Sequence, residues 1–74
     1  MNNERRKLLA EAKDLIEQAK DLIEQAKDEE QECFDNLPEG LQQSQRGEMM
    51  EENVSNLESS VDSLDEVISC LEEI

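Results

Sequence analysis

Between Met50 and Leu71 the apolar residues fall at alternating steps of four and three: Met50, Val54, Leu57, Val61, Leu64, Ile68 and Leu71. That spacing keeps one edge of an α-helix apolar over three heptads and is the seam of a coiled coil. Val54, Val61 and Ile68 form one column of the seam; Met50, Leu57, Leu64 and Leu71 form the other. Directly beside the leucine column runs an acidic one, Glu51, Glu58, Asp65 and Glu72. One predicted helix therefore carries an apolar edge and a negative edge.

The N-terminal half has its own seven-residue period. Asp14–Lys20 reads DLIEQAK and Asp21–Lys27 repeats it letter for letter, with a degenerate copy at Leu8–Lys13. Each copy gives Leu, Leu or Ile, and Ala to one face: Leu8, Leu9, Ala12; Leu15, Ile16, Ala19; Leu22, Ile23, Ala26. Charged residues fill the other side, with Glu17 to Lys20 and Glu24 to Lys27 spaced for i, i+3 pairing. Three apolar positions per heptad make a wider stripe than a two-stranded coil requires. The array breaks where Glu29 and Glu30 replace Leu and Ile, and Cys33, Phe34 and Leu37 then restore an apolar surface. Pro38 cannot continue a helix and disfavours helical geometry at Leu37. Asn2 or Asn3 suits the first N-cap and Ser44 the second. Gly47, in the first turn of the second helix, is either a weak point or a place where two backbones come close.

These signals predict an all-α, single-domain chain: a helix over residues 3–36, a loop over 37–44 and a helix over 45–73. Two rods joined by a short connection should fold back as an antiparallel hairpin. In the expected seam Ala12, Ala19 and Ala26 face Leu71, Leu64 and Leu57, while Leu15 and Leu22 face Ile68 and Val61. Leu9, Ile16 and Ile23 then flank the seam on one helix, and Val67 and Ile74 on the other. Those five residues would stay partly wet in a lone hairpin, so they are the expected interface of a homodimer, a four-helix bundle of two hairpins. The basic cluster Arg5, Arg6 and Lys7 would meet Glu72 and Glu73 at the open end.

Composition changes this picture mainly through charge. The net charge is −14 over 74 residues, and it is unevenly placed. In residues 1–27 six bases balance six acids; in residues 28–74 Arg46 stands alone against fifteen acids. Nine of these acids fall along the ~45 Å of the second predicted helix, about one per 5 Å, against ~3.4 Å per phosphate of one DNA strand. Bare nucleic acid and anionic membranes would repel such a surface, whereas a basic groove on another protein would attract it. The sustained heptads argue against disorder, because they give the chain something to bury. No apolar run approaches the ~20 residues of a membrane span and no signal-peptide core is present, so a cytoplasmic protein is expected.

Candidate chemistry is sparse. The chain has no His, so the Ser/His, Cys/His and histidine–carboxylate metal constellations are missing. Carboxylates are plentiful, but a two-helix hairpin offers no pocket that would desolvate one of them. Cys33 and Cys70 lie near the ends of their helices, roughly 35 Å apart along a hairpin, too far for an intrachain disulfide. Neither a catalytic residue, a metal site nor a cofactor is expected.

One segment carries a resemblance. Asp28-Glu29-Glu30-Gln31-Glu32, then Phe34-Asp35-Asn36-Leu37-Pro38-Glu39, then Leu41-Gln42 and Ser44, resembles small acidic helical proteins of phages and mobile elements of Gram-positive bacteria. It extends from Asp28 through the acidic second helix and leaves out the tandem repeat. The resemblance implies a phage-type setting in a bacterial host and no defined activity. Small acidic phage proteins often block host defence enzymes, some by imitating nucleic acid. The resulting expectation is a non-enzymatic inhibitor of a host nucleic-acid-handling or defence protein, contacting a basic groove through Glu51, Glu58, Asp62, Asp65, Glu66, Glu72 and Glu73. The alternative is a structural adaptor whose apolar seam takes a partner helix and whose acids only solubilise it.

Overall fold

The structure is a computed structural model describing all residues, 1–74. It contains α1 (Asn3–Asp35), the single turn α2 (Glu39–Gln42) and α3 (Gln45–Glu72), with no strand. Helices α1 and α3 fold back on each other as a hairpin 58 Å long and 15 by 12 Å in section.

Local chemistry fixes the ends. The Asn2 side chain accepts a hydrogen bond from the Arg5 amide at 2.8 Å, relieving one of the unpaired donors of the first turn of α1. Ser44 caps α3, its hydroxyl accepting from the Gly47 amide at 3.5 Å and donating to the Leu41 carbonyl. Between the helices, Pro38 begins α2, and the Leu41 and Gln42 amides donate to its carbonyl. The Gln42 side chain donates to the Phe34 carbonyl at 3.1 Å and ties α2 to the end of α1.

Gly47 is buried where α3 passes α2. A Cβ there would lie 2.8 Å from the Gln42 Cα and closer still to the Gln42 carbonyl. Of the two sequence readings of Gly47, close backbone approach is the one the structure takes.

Both helices pack through seven-residue repeats, with positions a to g. On α3, position a holds Gly47, Val54, Val61 and Ile68, and position d holds Met50, Leu57, Leu64 and Leu71. Val54 and Val61, each 8% exposed, are the only buried apolar residues, and the d column and Ile68 are half-buried around them. The α3 seam is thus the one read from the sequence.

The α1 seam is not. Leu9, Ile16 and Ile23 (a) are half-buried, together with Lys13, Lys20 and Lys27 (e). Leu8, Leu15 and Leu22 (g) stand 65%, 59% and 68% exposed, and of the alanines at d only Ala12 is half-buried. Compared with the expected seam, α1 is turned about its own axis by one residue, roughly 100°. The physical cause lies in the charges. In an antiparallel pair the e columns face each other, and this rotation brings the lysine column against the acidic column of α3. Lys13 pairs with Glu72 at 3.0 Å and Lys20 with Asp65 at 2.6 Å, one heptad further along each helix in opposite directions. The same step sets Lys27 across from Glu58 and Phe34 across from Glu51. The lysine stems cover the seam while their ammonium groups reach its edge.

Two smaller expectations also change. Lys20 reaches Glu24 at 3.9 Å within α1, but neither Glu17–Lys20 nor Glu24–Lys27 forms an ion pair, because the lysines turn toward α3. At the open end Arg6 donates to the Ile74 and Met1 carbonyls instead of meeting Glu72 or Glu73.

Candidate functional site

The heptad positions divide α3 into three sectors. Positions a and d form the seam. Positions e, b and f lie side by side over about 100° of the helix surface. Together they hold Glu48, Glu51, Glu52, Glu58, Asp62, Asp65, Glu66, Glu72 and, just past the helix end, Glu73. Positions c and g hold Met49, Asn56, Ser63, Cys70, Arg46, Asn53, Ser60, Val67 and Ile74, without one acid. Every carboxylate of the second helix therefore sits in one sector.

The seven residues expected to contact a partner all belong to this acidic sector, and all are exposed. They are not equivalent. Asp65 and Glu72 are occupied by Lys20 and Lys13. Hydrogen bonding to Glu72 raises Lys13 above the ordinary lysine pKa, and hydrogen bonding to Asp65 does the same for Lys20. Glu51, Glu58, Asp62, Glu66 and Glu73 have no ion-pair partner. The outward ridge is thus Glu51, Glu52, Glu58, Asp62, Glu66 and Glu73, with Asp65 and Glu72 serving the hairpin. The helix C-terminus ends in acids with no base in its last turn, contrary to what the helix dipole favours; Lys13, from the other helix, offsets this at Glu72.

The five residues expected at an oligomer interface split as well. Leu9, Ile16 and Ile23 lie in the chain's own seam, half-buried against α3. Val67 and Ile74 remain 43% and 50% exposed at position g. The exposed apolar residues of α1 are instead Leu8, Leu15 and Leu22, also at g. Since the ion pairs place both e columns on one side of the hairpin, both g columns lie on the other. Sequence reading missed the leucine column because it had assigned those residues to the seam. The signal that finds it is the lysine column, whose seven-residue period matches the acids of α3.

Two shallow grooves flank the helices. One, of about 520 Å³, lies toward the loop between Ala26, Glu29, Glu30, Cys33, Asn53, Asn56 and Leu57. There Asn53 donates to Glu30 at 2.8 Å. The other, of about 330 Å³, lies at the open end between Arg6, Leu9, Ala10, Lys13, Leu71, Glu72 and Ile74. Neither gathers three carboxylates or thiols around one point, and Cys33 and Cys70 are both free and exposed. No helix is long and apolar enough to cross a membrane.

The fold and its surfaces define an acidic helical hairpin in which α3 has one acidic sector and one sector without acids. No protein-family model, curated protein or solved structure matches the chain.

Proposed function

We propose that the chain is a non-enzymatic binding module whose acidic ridge on α3 occupies a basic groove of another protein. The observation that carries this reading is the confinement of the carboxylates to one sector of α3. A small domain stays soluble with a net charge of magnitude about 2–8 spread over its surface; this chain has −14, and along α3 and its C-cap Glu73 nine acids stand against Arg46 alone. Such crowding costs the fold through self-repulsion, and only Asp65 and Glu72, beside the ridge, meet a cation from α1. A groove that normally holds phosphates supplies the missing cations, so the favoured partner is a nucleic-acid-handling protein. The resemblance of the Asp28–Ser44 segment adds a phage-type setting, in which that partner is a host defence enzyme.

The test is retention of proteins from a bacterial lysate on the immobilised chain, compared with the Asp62→Lys/Glu66→Lys double variant at low and at high salt. Both positions face outward and neither joins the seam. The reading expects proteins that are lost on raising the salt and lost again with the double variant, since steering by exposed charge is screened. Retention indifferent to both changes contradicts it. A second reading, a coiled-coil adaptor, draws on the exposed leucines of α1; it expects Leu15→Lys to abolish retention and the acid reversals to leave it unchanged.

A further inference from the structure

The side of the hairpin opposite the ion pairs combines two features. Along α1 from Leu8 to Ala26, positions g and d carry only Leu8, Ala12, Leu15, Ala19, Leu22 and Ala26, again at alternating steps of four and three, before Glu29 ends the g column. This is a second seam, of large and small residues, which α3 does not cover. Beside it the g column of α3 adds Ile74 level with Leu8, Val67 level with Leu15 and Ser60 level with Leu22. The next column, c, is uncharged from Met49 to Cys70.

We infer that this flank is the interface with a second copy of the same chain, giving a four-helix bundle of two hairpins with both acidic ridges turned outward. The inference gives the dimer read from the sequence a different face: Leu8, Leu15 and Leu22 take the place of Leu9, Ile16 and Ile23, while Val67 and Ile74 stay. It rests on the rotation of α1 and not on the identity of any basic partner.

Three arguments select a second copy as the occupant. The first is charge. Two chains of −14 can touch only where acids are absent, and the g side of α3 with the Leu/Ala seam of α1 is that place. A basic partner would be drawn to the ridge, and an acidic one repelled by the molecule as a whole. The second is area. The acid-free stretch from Leu8 to Ala26 is about 27 Å long on a hairpin 15 Å wide, about 400 Å² per copy, which suits a weak, concentration-dependent self-association below the ~800 Å² per partner of a standard interface. The third is burial. Within one hairpin only Gly47, Val54 and Val61 are buried, and small helical chains with so little core are commonly completed by self-association. A two-fold axis through the flank sets the leucine column of one copy over the alanine column of the other, large against small, along matching seven-residue periods.

The test is the mass of the intact chain in solution, by sedimentation equilibrium, alongside helical circular dichroism. The wild type is expected at twice its chain mass of 8.5 kDa. Leu15→Lys is expected to remain helical and fall to the monomer mass. Ser60→Glu removes no apolar group and loses only a local bond from the serine hydroxyl to the Asn56 carbonyl; it is expected to weaken the dimer at least about tenfold. Ser60→Glu therefore decides the matter if Leu15→Lys fails to fold. A monomeric wild type at high micromolar concentration, an open-ended larger assembly, or a dimer unaffected by Ser60→Glu would each overturn the inference. None of these results would touch the acidic-ridge reading, which is tested by salt and by Asp62→Lys/Glu66→Lys.

Discussion

Gly47 shows how one residue without a side chain holds the turn together. It occupies a seam position at which every later heptad of α3 has Val or Ile. A glycine inside a helix ordinarily costs about 0.5–1 kcal/mol relative to alanine. Here alanine would drive its Cβ into the backbone of Gln42, and backbone cannot move aside as a side-chain tip can. Gly47→Ala is therefore expected to destabilise the hairpin by about 1–3 kcal/mol, the range for overpacking a close contact. Gly40 has nothing within 4 Å of a Cβ, so Gly40→Ala should be neutral or gain up to about 1 kcal/mol. Thermal melts of the two variants check this, and equal effects would remove the close-approach account.

At the scale of the helices, the sequence and the structure agree on α3 and part on α1, for a physical reason. The apolar spacing of α3 admits one rotation only: a and d are apolar, e is acidic, and a turn in either direction exposes valines or buries glutamates. The α1 stripe has three apolar columns, Leu at g, Leu or Ile at a, and Ala at d. Its width lets either edge face the partner. Hydrophobic pattern thus left both a one-heptad slip and the rotation of α1 open. What distinguishes the two edges is the lysine column, whose i, i+3 spacing alone pairs it with acids of its own helix. Of the candidate site, the acidic sector was legible because it needed only the rotation of α3. The apolar flank was not, because it depends on that of α1.

The rotation predicts a specific coupling. Lys20→Glu and Asp65→Lys should each lower the melting temperature, the first by setting like charges against each other across the seam and the second by opposing Lys20. The double variant, with the charges exchanged, should recover most of the loss. Additive losses would show that the two positions do not face each other. The wild-type pair also has a signed pH dependence. Because folding raises Lys13 and Lys20 above the ordinary lysine value of 10.5, their contribution is complete below that value and fades as pH rises through the raised one. Their exposure keeps it modest and sensitive to salt.

Over the whole molecule, the hairpin separates a chain of −14 into an acidic outer sector, a lysine-bridged edge and a flank that is apolar along Leu8, Leu15 and Leu22. Each follows from folding back: a continuous helix would have no e column facing another, and its leucines would border no second helix. The ridge, the ion pairs and the proposed dimer face all depend on α1 and α3 lying side by side. Solution X-ray scattering tests that most directly. The account predicts a maximum dimension close to the 58 Å hairpin with its side chains added, whether one copy is present or two lie flank to flank. A dimension near 110 Å, the length of ~74 residues in one uninterrupted helix, would contradict it.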